Sequence, residues 1–91
     1  MKTIEIDFKG CKYIGAVHKV LKEAFKLPDY YGENLDALWD CLRYYSEDDI
    51  QVRLYGLSSL PESFKDYTQK MMIIFDMVNK EKPNICFTVV S

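Results

Sequence analysis

Ile50-Gln51-Val52-Arg53-Leu54-Tyr55 alternates apolar and polar side chains and stops at Gly56. A period of two marks a strand with one buried face. Upstream of it the period changes: Ile14, Val17, Leu21, Ala24 and Phe25 recur at three- and four-residue spacing, as on a helix. Downstream, Leu60, Phe64, Tyr67, Met71, Ile74, Phe75 and Val78 do the same. At the two ends of the chain, residues 3–8 alternate again, and residues 85–90 are rich in β-branched side chains. Strand, helices, strand, helix, strand is an α/β order. With right-handed crossovers it gives a small three-stranded parallel sheet packed with three to four helices.

Punctuation sets the expected boundaries. Gly15 is a weak position early in the first helical pattern, so that helix is expected to start a little after Tyr13 and to end near Lys26. Pro28 disfavours helical geometry at Leu27, Gly32 permits a turn, and Asn34 is a good N-cap. A short helix then fits residues 35–44, with Leu35, Leu38 and Leu42 inward. Ser58 or Ser59, followed by Pro61 and Glu62, reads as a further helix start. Between Leu60 and Lys82 the pattern fits one long helix, or a short and a longer one broken near Tyr67.

The chain has 91 residues, 48% hydrophobic and 29% charged, which suits a single domain over residues 1–91. A chain of this size buries roughly 60–65% of its unfolded surface, enough for one modest core. The longest apolar run, Met71-Met72-Ile73-Ile74-Phe75, is far short of the roughly 20 residues of a membrane span. Charges at Lys2, Glu5, Asp7 and Lys9 leave no apolar leader segment, so a cytoplasmic protein is expected. Cys11, Cys41 and Cys86 are odd in number and form no C-x-x-C pair, which points to reduced thiols. Cys41 and Cys86 are expected to fill core space. With one histidine, His18, and three scattered cysteines, no metal site is expected, and no phosphate loop or other cofactor motif is present.

Charge is unevenly placed. The net value is only −2, yet residues 28–49 hold seven acids (Asp29, Glu33, Asp36, Asp40, Glu47, Asp48, Asp49) against a single base, Arg43. That segment is −6 and the remainder +4. Such a patch repels nucleic acid and attracts basic proteins. Asp36 and Asp40 lie one helical turn apart beside the arc of Leu35, Leu38, Trp39 and Leu42. Like charges at that spacing cost a few tenths of a kcal/mol. Asp36 can complement the helix N-terminus, but Asp40 lies too far along to do so. Tyr30, Tyr31, Trp39, Tyr44 and Tyr45 surround the pair, and aromatics beside charges are the composition of interface hot spots. Two or three of the five are expected to cap the core instead.

The stretch Leu27-Pro28-Asp29-Tyr30-Tyr31-Gly32-Glu33-Asn34-Leu35-Asp36-Ala37-Leu38-Trp39-Asp40-Cys41-Leu42 closely resembles the signature of the barstar family, intracellular inhibitors of the ribonuclease barnase. Outside these sixteen residues the likeness is one of length and element order. The resemblance implies an acidic loop and helix that plug a cationic nuclease site. It makes Asp40 the central anchor, with Tyr30, Asn34, Leu35, Asp36 and Trp39 around it. It also implies a basic, secreted, barnase-like ribonuclease as partner. The +4 remainder and the mostly single-sided helices point to a chain that is monomeric when free. Tyr45 stands where the family has a tryptophan. The family's late acidic contact falls near Met77, one place after Asp76, so the resemblance adds Tyr45 and Asp76 to the candidate partner-binding residues.

Enzymatic readings fare worse. A catalytic carboxylate pair needs one member in an apolar pocket to raise its pKa, and two acids on the exposed edge of one short helix lack that. His18 is expected to be a structural or solvated residue flanking the first helix. The remaining alternative is a barstar-like acidic module for a different basic nuclease, toxin or regulatory partner.

Overall fold

The computed structural model describes residues 2–90. Strand β1 (Lys2–Asp7) leads into α1 (Ile14–Phe25) and α2 (Leu35–Leu42), then β2 (Ile50–Tyr55), α3 (Lys65–Glu81) and β3 (Ile85–Val89). The three strands form one parallel sheet in the order β1-β2-β3, with Ile4 opposite Val52 and Val52 opposite Phe87. This is the α/β architecture that the alternating periods imply.

The helices share one side. On that side Ile4, Ile6, Ile50, Val52, Leu54 and Ile85 are buried, and Phe87 stacks on Phe75 of α3 with ring centroids 4.6 Å apart. Helix α1 packs on β1, α3 on β3, and α2 on α3. Parallel sheets are usually covered on both faces. Here the second face is polar: Tyr55 donates to Glu5 Oε2 at 2.6 Å, and Gln51 Nε2 donates to Thr88 Oγ1 at 2.7 Å.

Helix α1 begins at Ile14, just after Tyr13, which is the extended residue at its cap. A Cβ on Gly15 would lie 3.2 Å from the Tyr13 ring, so the glycine serves that packing. Later boundaries differ from expectation. The helix signalled by Ser58, Ser59 and Pro61 is two single 3₁₀ turns, Leu57–Ser59 and Glu62–Phe64. Leu60 and Pro61 between them are extended (ψ 146° and 145°), the conformation that proline imposes on the residue before it. From Lys65 the helix runs unbroken through Tyr67 to Glu81.

The cysteines also redistribute. All three are free thiols, but Cys11, not Cys41 or Cys86, belongs to the buried core. Gly10, at φ +90°, turns the chain so that Cys11 follows Phe8 inward. Burial, with Asp7 nearby, pushes the Cys11 thiol pKa up. Cys41 and Cys86 are only half-buried.

His18 is structural. It is completely buried, bonded through Nδ1 to the Tyr31 hydroxyl at 2.6 Å and through Nε2 to the Tyr67 hydroxyl.

Candidate functional site

The end of α1 launches the acidic segment. Lys26 takes a left-handed conformation (φ 54°), its N–H bonds Glu23 O, and the Leu27 N–H reaches back to Lys22 O at 2.9 Å. This double closure turns the chain sharply and tucks Leu27 into the core. A bond from Tyr31 N–H to Pro28 O at 3.0 Å then makes a turn that separates two adjacent tyrosines. Tyr31 goes inward (5% exposed) to His18, while Tyr30 stands 86% exposed.

The turn before α2 is built differently from expectation. Glu33, not Gly32, takes the left-handed backbone (φ 50°). Gly32 is needed for closeness: a Cβ there would lie 3.3 Å from Asn34 Nδ2 and 3.4 Å from the Ala37 Cβ. Asn34 caps the helix as its residue type suggests. Its Oδ1 accepts from Ala37 N–H at 2.8 Å and its Nδ2 donates to Gly32 O at 3.1 Å. The amide therefore holds the loop to the helix.

Helix α2 buries Leu38 and Leu42 and rests Leu35, Trp39 and Cys41 partly against the core. Asp36 and Asp40 are exposed. Asp40 borders a groove of about 550 Å³ lined by Lys26, Leu27, Pro28, Tyr30, Cys41, Tyr44 and Tyr45. Tyr45 is half-buried with its ring edge-on to Phe25, and Tyr44 is 76% exposed. Burial raises the Tyr45 hydroxyl pKa, and burial together with Asp40 raises that of the Cys41 thiol. Of the five aromatics, then, Tyr31, Trp39 and Tyr45 pack against the core, and Tyr30 and Tyr44 project from it.

All seven acids of the segment are exposed. Among the described residues only two have ion-pair partners: Asp29 with Lys22 at 3.7 Å, and Glu47 with Lys82 at 2.8 Å. Among the described residues, the carboxylates of Glu33, Asp36, Asp40, Asp48 and Asp49 have no cation within 4.0 Å. Asn84 pins the connector after α2 by donating to Ser46 O (3.1 Å) and Asp48 O (2.8 Å).

Thus Tyr30, Asp40 and Tyr45 share one groove, and Asn34, Leu35, Asp36 and Trp39 continue from it along α2. Asp76 lies elsewhere. It pairs with Lys80 at 3.2 Å and lines a separate groove with Met72, Phe75, Asn79, Cys86 and Phe87. Tyr44 stood out only as one of the five aromatics and Arg43 only as the one base of the acidic segment, and neither was among the expected contact residues. The Arg43 guanidinium carbon sits 5.1 Å from the ring centroids of both Trp39 and Tyr44. Among the described residues no group of three or more His, Cys, Asp or Glu side chains could hold a metal ion, and no helix is long and apolar enough to cross a membrane.

Fold and site together define a small α/β protein whose loop and short helix form an acidic face flanked by aromatics. Residues 1–91 match the family described as Barstar (barnase inhibitor), and the chain belongs to that family. A Bacillus subtilis (strain 168) protein named "Putative ribonuclease inhibitor YrdF" is 52% identical over 42 residues. That similarity covers 46% of this chain and 46% of the relative.

Proposed function

We propose that this protein inhibits a basic, secreted, barnase-type ribonuclease by inserting the loop and helix from Tyr30 to Tyr45 into the enzyme's cationic site. One observation carries the reading: Asp36 and Asp40 stand exposed and unpaired on a capped helix, beside an aromatic groove, in a chain of the barstar family. A ribonuclease must bind phosphodiester, so its site is cationic. A carboxylate held in place by α2 can occupy the phosphate position and accept charge-assisted hydrogen bonds. Asp40 is the anchor, and Asp36, Trp39, Tyr30, Leu35 and Tyr45 enclose it. Asn34 contributes mainly by fixing the start of α2.

The five unpaired acids speed association by long-range attraction. The protein performs no chemistry of its own. It acts as a monomer in the cytoplasm, protecting the cell that makes the nuclease. Asp76, already paired with Lys80 on a different groove, plays at most a peripheral part.

A second reading keeps the same face and changes the partner to another basic nuclease or toxin. Tyr45 in the place of the family's tryptophan, and Arg43 within the acidic face, favour it.

The deciding experiment titrates purified protein into a barnase-type ribonuclease and follows RNA cleavage. Near-equimolar loss of activity is expected. Full activity at micromolar protein would reject the ribonuclease and leave the second reading. Hydrolysis of RNA by the protein alone would reject both.

A further inference from the structure

Arg43 is chemically out of place. It lies three residues after Asp40 and seven after Asp36, on the same side of the helical path, within reach of a simple intrahelical ion pair. No carboxylate lies within 4.0 Å of it among the described residues. Its guanidinium rests instead against Trp39 and Tyr44, 5.1 Å from each ring centroid. Nε is buried without a hydrogen-bond acceptor. Stacking on rings leaves the outer N–H groups of a guanidinium, a fork suited to a carboxylate, unused.

Docking sharpens the problem. When this face closes on a partner, water leaves, and a cation without an acceptor becomes a desolvated, unpaired charge. It would also oppose the cations that receive Asp40. Both costs disappear if the partner presents an acid at that point.

We propose that Arg43 is a specificity-determining residue, its stacked guanidinium receiving a carboxylate of the partner beside the cationic site that receives Asp40. This rests on the inhibitor reading above and narrows it: the matching nuclease carries an Asp or Glu within its basic rim, and nucleases without one are bound poorly.

The test turns on a sign. If Arg43 is only a stray cation on a surface that meets cations, Arg43→Gln adds net negative charge and tightens binding. The proposal requires the opposite, weakening by more than roughly ten-fold. Affinity of wild type, Arg43→Lys and Arg43→Gln is measured against a purified barnase-type ribonuclease. Each acidic residue of that enzyme's active-site rim is also changed singly to its amide.

Arg43→Lys is expected to fall between the other two, since it keeps the charge and loses the fork. One amide variant of the enzyme should lose as much affinity as Arg43→Gln, with no further loss when the two are combined. Trp39 is the only tryptophan, so its fluorescence in the free protein reports whether the stack has moved. Unchanged or tighter binding by Arg43→Gln overturns the inference while leaving the inhibitor reading intact. So does a loss shared by no enzyme carboxylate, which would assign Arg43 to holding Trp39 in place. Failure of wild type to bind overturns the inhibitor reading itself.

Discussion

The ring of His18 lies 2.6 Å, through Nδ1, from the hydroxyl of Tyr31, the inward member of the tyrosine pair that opens the acidic loop. Its other nitrogen bonds Tyr67, so one buried imidazole ties α1, the loop and α3 together. A neutral imidazole donates through one nitrogen and accepts through the other, which matches two hydroxyl neighbours. Burial holds the His18 pKa below its ordinary 6.5, partly opposed by Glu33, and pushes the Tyr31 hydroxyl well above its usual range.

A pH dependence follows from the direction of that shift. Above about pH 6.5 the imidazole is neutral in both folded and unfolded chains, and its contribution to stability is fully present. As pH falls from there towards the folded pKa, the unfolded chain takes up a proton that the folded one resists, and stability drops. Below the folded value the loss levels off. Urea unfolding across this window should show the drop in wild type and a flatter curve in His18→Gln. At neutral pH His18→Gln should cost on the order of 1–3 kcal/mol, the penalty for unpairing buried hydroxyls. Equal pH slopes in the two proteins would assign the acid sensitivity to other groups.

Gly56 closes β2 at φ +74°, and a Cβ there would sit 2.7 Å from the Lys9 backbone nitrogen and 2.9 Å from Asp7 Oδ1. Those two atoms are themselves hydrogen-bonded at 2.9 Å. Backbone cannot yield as a flexible side chain can. Gly56→Ala should therefore destabilise by at least about 1–3 kcal/mol, seen as a lower midpoint in chemical unfolding.

The sheet was legible because one buried face leaves an uninterrupted period-two record in β1 and β2. The end of α1 was legible because Pro28 constrains Leu27. What local sequence could not carry is whatever depends on distant partners. Tyr30 and Tyr31 are chemically identical neighbours, and His18 and Tyr67, far away in the chain, decide which one turns inward. The burial of Cys11 had no local signal for a similar reason, since Gly10 rather than any periodicity steers it into the core. At the candidate site, Asp36 and Asp40 stood out as an uncompensated pair within one turn. Asp76 carried no such signal, and its groove with Cys86 and Phe87 exists only because α3 crosses over to β3.

Asn34 separates folding from docking. Asn34→Ala removes the acceptor for Ala37 N–H and should cost about 0.5–2 kcal/mol of stability. Asn34→Asp keeps an acceptor at the cap and adds negative charge to the start of the helix, so it should recover most of that loss. If the residue serves chiefly as a cap, affinity for the nuclease will follow the same order as the melts. Weak binding by a stable Asn34→Asp would instead assign the amide a direct contact.

Asp40, Leu38 and Glu47 should respond in three different ways. Leu38 is completely buried, and Leu38→Ala should cost about 2–5 kcal/mol of stability. Asp40 is exposed and unpaired, one turn from the like charge of Asp36, so Asp40→Ala should leave the melt unchanged or slightly raised. In binding the order reverses. On the proposed inhibitor reading, removing Asp40 should strand the cations of the nuclease site under a dry interface, with a loss of roughly 2–5 kcal/mol or more, the general range for desolvated charge pairs, expressed mainly as faster dissociation. Glu47 is exposed and paired with Lys82, whose side chain is only 13% exposed. Glu47→Ala should cost at most about 1 kcal/mol of stability. It should also slow association at low salt, an effect that disappears as added salt screens the field. Thermal melts with association and dissociation rates for the three variants distinguish a docking face from a merely solvated one. Binding by Asp40→Ala as tight as wild type would place the contact surface away from α2.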